Sequence, residues 1–430
     1  MVTLTPQEQA MLGGDEGAAV QKAMELLVRY ADALGAERFV QTDNVAGVPG
    51  SSPQWVKDHF KADGGDYRAV FSRYDLDSDV VVDVPPMKAG FSCHLQGGMD
   101  PEHWTEMGMS PQAHANFVAD EREVGAHGVQ LMKTCTPYLA GNMPRFGEHC
   151  AWMESSAVVF CNSVVGARTN TEGRESTSAA MLAKRVPDWG FHQTDFRWGQ
   201  HLVEVQVPVG DIFEWGMLGY FVGGAVQDAI PVIDGAVTGA SVIRHKHFGA
   251  AAASSGGVEL YHMVGVTPEA PSREAAFGPR KVGERFVYDA AARARTYETL
   301  NALGASRDVD FVMLGCPHAS LDQIAEIAAL LEGRKVSASS ALWVFTSRAV
   351  KLAAEAAGHA RALRDAGALL MTDTCSSISQ AVPKGTRVAA LDSAKQVHYL
   401  PAIMNIEGWY GTTAECVDAA CTGRWNGRLP

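Results

Sequence analysis

The sequence predicts an α/β protein with parallel sheets, and three observations carry that expectation. The last third alternates strand-like and helix-like runs in the order strand–helix–strand–helix–strand. A glycine-rich middle section alternates apolar runs with small-residue turns. Over 430 positions, 47 % apolar and 20 % charged residues make an ordinary globular balance. Strands separated by helices pair in parallel, because an antiparallel pair needs only a short hairpin. At about 150 residues per domain, the length allows roughly three units.

Near the N-terminus, Gly17 to Leu34 sets Val20, Ala23, Met24, Leu26, Leu27, Tyr30 and Leu34 at helical spacing, and Gly35 stops the run. Phe39 to Gln41 reads as a short strand, and 43–51 as a loop by composition. Val129 to Cys135 reads as a strand ended by Thr136-Pro137. Pro144 to Val165 reads as one long apolar helix stopped by Gly166, with Glu154, Ser155 and Ser156 inside it. Polar side chains there must face water, bond the backbone or line a site. Val203 to Val264 supplies the glycine-rich strands and turns. In the last third, Val309 to Cys316 reads as a strand, Leu321 to Leu331 as a helix and Ser337 to Phe345 as a strand. Ala349 to Ala366 then reads as an alanine-rich helix and Ala368 to Asp373 as the next strand. The expected division is 1–300, with one strand-end cysteine, and 301–430, with two.

Composition excludes several function classes. A formal charge of −13 argues against nucleic acid, whose phosphates need a basic face. The most apolar stretch, Trp215 to Val226, is far shorter than the ~20 residues that cross lipid. The first residues lack the basic-then-apolar order of a signal peptide. Eight cysteines include no CxxC pair, so the expectation is a reduced, cytoplasmic protein. No G-x-G-x-x-G followed by an acidic residue supports a dinucleotide site.

Three cysteines share one kind of position. Cys135 ends Val-Gln-Leu-Met-Lys-Thr, Cys316 ends Phe-Val-Met-Leu-Gly, and Cys375 ends Leu-Leu-Met-Thr-Asp-Thr. Open parallel sheets bind ligands just beyond strand carboxyl ends, so these thiols can meet at one metal centre. Three protein ligands leave a metal with an open position for a substrate oxygen. A zinc with a vacant fourth position is a competing reading, and small buried hydrophobes are the plain one.

The run from Cys135-Thr-Pro-Tyr-Leu-Ala-Gly-Asn-Met-Pro through Gly147-Glu-His-Cys-Ala-Trp-Met-Glu-Ser-Ser to Ala167-Arg-Thr-Asn-Thr-Glu-Gly173 resembles the aconitase X family. So do Ser255-Gly-Gly-Val-Glu-Leu-Tyr-His-Met-Val-Gly-Val-Thr-Pro-Glu-Ala270, Gly315-Cys-Pro-His and Asp373-Thr-Cys-Ser. The resemblance implies an aconitase-like large subunit of several three-layer α/β subdomains with parallel sheets, lacking the swivel domain. It implies an iron–sulfur hydro-lyase, its [4Fe-4S] or [2Fe-2S] cluster, or a mononuclear iron, on Cys135, Cys316 and Cys375. It also implies a separate small swivel subunit carrying a catalytic serine, and a small hydroxy acid as substrate. Family members remove water from cis-3-hydroxy-L-proline or 5-phosphomevalonate. The first is preferred here because no segment reads as a phosphate cradle.

Further site residues are expected around this centre. Arg168 offers a guanidinium fork to a carboxylate, or else caps carbonyls or pairs with Glu172. Glu154 and Ser155 are candidate catalytic groups, and Ser156, Thr169, Asn170 and His318 candidate substrate contacts. Gly47, Val48 and Gln96 lie in segments that depart from the family pattern where it touches substrate. The basic run Arg244-His245-Lys246-His247 reads either as an attractor for an anion or as a solvated face. A zinc or thiol enzyme and a non-catalytic scaffold subunit are the alternative classes.

Overall fold

The computed structural model of the chain describes residues 1–48, 82, 84–93 and 98–429. Three parallel sheets organise it, with a two-stranded antiparallel pair of β1 (Phe39–Gln41) and β5 (Arg185–Pro187) beside them. In the first sheet, β2 (Asn44–Gly47) lies between β3 (Gly90–Cys93) and β4 (Cys150–Trp152). The second runs β8-β7-β6-β9, from β6 (His201–Val209), β7 (Pro231–Val237), β8 (His262–Met263) and β9 (Arg285–Tyr288). The third runs β12-β11-β10-β13-β14, from β10 (Phe311–Ala319), β11 (Ala341–Thr346), β12 (Leu369–Thr372), β13 (Val388–Leu391) and β14 (Glu407–Tyr410). The α/β class and the parallel pairing are as the sequence predicts.

In the second and third sheets the chain winds outward from its first strand and then switches to the other side. In the third sheet this reversal falls between β10 and β13. Strand crossovers diverge there and leave a crevice at the carboxyl edge. β10 and β11 are buried on both faces, and the packing face alternates with period two. Phe311, Met313, Trp343 and Phe345 pack on one face, and Val312, Leu314, Leu342 and Val344 on the other.

The glycine-rich middle has a packing cause. The helices Ile212–Val226 and Val242–Gly256 cross with their backbones nearly touching: a Cβ on Gly223 would sit 2.3 Å from the Ala252 carbonyl oxygen. That approach brings the second helix against β10. Among the described residues, no helix is long and apolar enough to cross a membrane.

Five sequence expectations need correction. The stretch 43–51, read as a loop, supplies β2 at Asn44–Gly47, the central strand of the first sheet. Residues 129–135 form an extended loop rather than a strand, with Lys133 in the left-handed region at φ 39 and Lys133 and Thr134 buried. The expected long helix from Pro144 holds only Ser155–Phe160 and a wider π-helical turn, Cys161–Val165. The stretch before it supplies β4, because a buried Cys-Ala-Trp pairs with β2. The alanine-rich helix is two, Arg348–Ala356 and His359–Ala366, broken at Gly358 with φ 84. The basic run is no solvated face: His245, Lys246 and His247 are buried.

A titration is built into this core. Burial pushes the Glu172 carboxyl up to about 7; the Ser176 hydroxyl opposes the rise and the Glu259 carboxylate adds to it. A folded-state pKa above the unfolded value means the native state holds a proton that the unfolded chain gives up. Stability is then fully present below about 4.5 and falls as pH rises through about 7. Glu172→Gln is therefore expected to stabilise the protein at pH 8 by up to about 3 kcal/mol, with no difference below pH ~4.5. Denaturant unfolding at the two pH values checks this.

Candidate active site around three cysteines

All three cysteines open onto one cavity of about 300 Å³ at the carboxyl edge of the third sheet, although Cys135 ends a loop and Cys316 lies within β10 rather than at its end. Each reaches it from a backbone turn in the left-handed region. Gly315 precedes Cys316 at φ 85, while Lys133 and Asp373 stand two residues before Cys135 and Cys375 at φ 39 and φ 66. Gly315 has no alternative, since a Cβ there would lie 2.1 Å from the Phe345 carbonyl oxygen. Cys375 caps the short helix Ser376–Ser379.

His318 ties the three segments together. It is fully buried; its backbone N–H donates to Cys135 Sγ (3.3 Å), and its Nε2 donates to the Thr374 carbonyl (2.9 Å). Its Nδ1 lies 2.9 Å from Thr134 Oγ1, which already accepts from the Thr136 N–H (3.1 Å). The carbonyl partner places a proton on Nε2. Lys246 fixes the next stretch, donating to the carbonyls of Pro317 (3.0 Å) and His318 (2.8 Å) and to Gln323 Oε1 (2.6 Å). Burial lowers its ammonium to about 8.

Lys395 and Glu154 face one another across the cavity wall, 2.5 Å apart. Glu154 caps the helix that follows β4, accepting from Ser156 Oγ and the Ala157 N–H through Oε2, while Oε1 meets Lys395. Burial opposes the Lys395 charge, but the Glu154 carboxylate and the Cys316 and Cys135 sulfurs outweigh it and hold the group protonated. Burial also pushes the thiols up: Cys135 and Cys316 to about 12 and Cys375 to about 11, with Glu154 adding at Cys135 and Lys395 opposing at Cys316. Cys316 donates to Gln396 Oε1 at 3.3 Å.

Of the residues singled out in the sequence, Cys135, Cys316, Cys375, Glu154, Ser155 and His318 line this cavity. Ser156 is buried against Glu154. Arg168, Thr169 and Asn170 lie elsewhere. The segment carrying them runs parallel to β4, with Arg168 beside His149 and Thr171 beside Trp152. Arg168 is thus at the strand's starting end, whereas the cavity lies past its finishing end at Glu154. Its guanidinium donates to the His192 carbonyl (2.6 Å) and Thr194 Oγ1 (2.9 Å). Thr169 accepts from the Trp152 N–H, and Asn170 holds Trp189 and Phe191. Gly47 and Val48 are buried, Gly47 against Thr177, and Gln96 lies outside the described residues. Sequence reading missed Lys395 and Gln396. The signal for them was the apolar Val388–Leu391 run followed by Asp-Ser, a strand leading into a capped helix.

The donor set fits a soft metal group. Three buried thiols need a strong positive charge to ionise, and a metal supplies it. Among the described residues, no group of three or more His, Cys, Asp or Glu side chains is placed to hold a metal ion.

Models of the aconitase X first, second and third domains match residues 1–195, 199–298 and 309–422. The chain is 36 % identical over 410 residues to the phosphomevalonate dehydratase large subunit of Methanothermobacter thermautotrophicus, covering 95 % of this chain and 96 % of that one. It is 34 % identical over 443 residues to the cis-3-hydroxy-L-proline dehydratase of Pseudomonas aeruginosa, covering 98 % and 70 %. The crystal structure of Thermococcus kodakaraensis aconitase X in its holo-form is similar with a TM-score of 0.78 at 28 % identity, covering 97 % of this chain and all of that one.

The bonding of the two polar residues predicts different costs. His318→Leu removes the ring's bonds to a buried hydroxyl and a buried carbonyl and is expected to cost about 2–4 kcal/mol. Arg168→Ala, at a half-exposed site, is expected to cost about 1 kcal/mol or less. Urea unfolding of both variants measures the difference.

Proposed function

The chain belongs to the aconitase X family, and from that premise we propose that it is the large, cysteine-bearing subunit of an iron–sulfur-dependent hydro-lyase. Its substrate in this reading is a small β-hydroxy carboxylate, cis-3-hydroxy-L-proline first among them. The observation that carries the reading is the meeting of three distant, buried thiols at one cavity whose wall also holds a charged lysine.

Cys135, Cys316 and Cys375 would hold the cluster, which when bound supplies a Lewis acid for the departing hydroxyl. Lys395 takes the role that the sequence gave to Arg168. Its ammonium, fixed against Glu154, faces the cavity where a substrate carboxylate accumulates charge as the α-proton leaves. Glu154 holds that ammonium in place, and its own position is fixed by the helix cap. Ser155, at the first turn of the same helix, presents its hydroxyl beside the pair.

A small partner subunit completes this reading, with the base that takes the α-proton placed on its serine. Relatives matched nearly end to end are named large subunits. The cavity rim supports it as well, since Ile378, Tyr399 and Ile403 stand there 44, 37 and 45 % exposed, an apolar mouth suited to a cover.

Substrate charge ranks the two candidates. Among the described lining residues, Lys395 is the only Lys or Arg, and it is already paired. That suits a zwitterionic imino acid better than a phosphorylated carboxylate. The second reading, 5-phosphomevalonate, is favoured by the 36 % identity to the archaeal large subunit.

Anaerobic co-expression with the small subunit, followed by assay of both compounds, tests the proposal. Turnover of cis-3-hydroxy-L-proline is expected, with loss of bound iron and of activity in each of Cys135→Ser, Cys316→Ser and Cys375→Ser. Lys395→Met is expected to lower kcat/KM about 10²–10³-fold. Turnover of 5-phosphomevalonate alone reverses the substrate order, and an iron-free, colourless wild type sinks the reading.

A further inference from the structure

We propose that Lys133, Glu121, Arg348 and Asp373 form a positioning latch that sets Cys135 and Cys375 at their mutual spacing. This inference rests on the cluster reading above and extends it to residues outside the cavity.

Lys133 and Asp373 occupy equivalent places, each two residues before a cysteine and each in the left-handed region that side-chain-bearing residues avoid. Neither lines the cavity. Their side chains are instead joined through two further charges. Lys133 Nζ lies 2.8 Å from Glu121 Oε1, and the same oxygen lies 2.5 Å from an Arg348 terminal nitrogen. Arg348 Nε is 2.8 Å from both Asp373 oxygens, and its Nη2 also contacts Oδ2. The ends are the best buried: the Lys133 and Asp373 side chains are 3 % and 0 % exposed. Lys133 is held further by the Phe117 ring, 3.8 Å below its ammonium.

The four groups span two domains. Glu121 is on the helix Pro111–Ala126 and Lys133 in the loop after it, both within the first-domain match. Arg348 opens the helix after β11 and Asp373 follows β12, both within the third. Cys135 and Cys375 therefore lie in different domain matches. A slide of one domain on the other would open the thiol spacing, and ligating groups tolerate only about 0.5 Å. Two cations and two anions also leave the latch without net charge beside a cavity already carrying ionisable thiols. A buried ion chain is a poor device for stability alone. Its directional bonds suit register.

The test loads the full chain anaerobically with Fe²⁺ and sulfide, then follows visible absorption, iron per chain and iron release to a chelator. Apo-protein unfolding temperatures are measured in parallel. Arg348→Met and Glu121→Gln are expected to release iron about 10-fold faster or more than wild type. Arg348→Lys, which keeps the charge without the fork, is expected to fall between. The control is Arg293→Met, which breaks the second-domain pair of Arg293 and Glu214 (Nε to Oε1, 2.9 Å). It is expected to lose thermal stability but release iron at the wild-type rate. Should Arg348→Met fail to fold, Glu121→Gln decides alone, because it removes a charge and keeps the shape. Wild-type release rates in the folded latch variants, or equal acceleration in Arg293→Met, would overturn the latch while leaving the functional reading intact. A wild-type chain that takes up no iron overturns both.

Discussion

Three sulfur atoms on distant segments must meet in one cavity, and no covalent bond fixes their separation. Each is delivered by a turn in the left-handed region, and each turn is over-determined by its surroundings. A glycine leaves no room for a side chain at Gly315. Ionic contacts hold Lys133 and Asp373, and His318 bonds to the loops of Cys135 and Cys375 from its place two residues beyond Cys316. Backbone conformations that cost free energy persist only under such constraint.

Two lysines show how position decides the use of a charge. Lys246 and Lys395 are both deep in the protein, yet burial lowers one to about 8 while anionic neighbours hold the other firmly protonated. Lys246 meets carbonyl oxygens and an amide, so its protons are spent on the loop after Cys316. Lys395 meets a carboxylate and lines the cavity. The first is structural by its partners; the second keeps its charge, paired with Glu154, at the cavity wall.

The sheets of the last third were legible because period-two burial on both faces leaves long apolar runs such as Phe311 to Leu314. Of the three cysteines read as strand ends, Cys375 does follow β12, whereas Cys316 lies inside β10 and Cys135 ends a buried loop. Arg168 was misplaced because sequence shows that a residue follows a helix stop but not which end of β4 it faces. Residues 129–135 looked like a strand because their apolar members face a core, as a buried extended loop also requires. The run at 244–247 looked solvated because sequence cannot show that His245 meets the Tyr261 hydroxyl or that Lys246 meets two carbonyls. Lys395 was invisible for want of the strand before it.

His318 ties the loops through hydrogen bonds that have direction. Its Nε2 donates to the Thr374 carbonyl and its Nδ1 meets Thr134 Oγ1, so one ring spans the segments before Cys375 and Cys135. Lys246 holds the stretch after Cys316 by donating to two carbonyls. Charged ties between the other two loops are found two residues before their cysteines, at Lys133 and Asp373, where each side chain meets an opposite charge. The arrangement divides the work: a ring and a lysine fix the backbone next to the sulfurs, and ion pairs fix the loops away from the cavity.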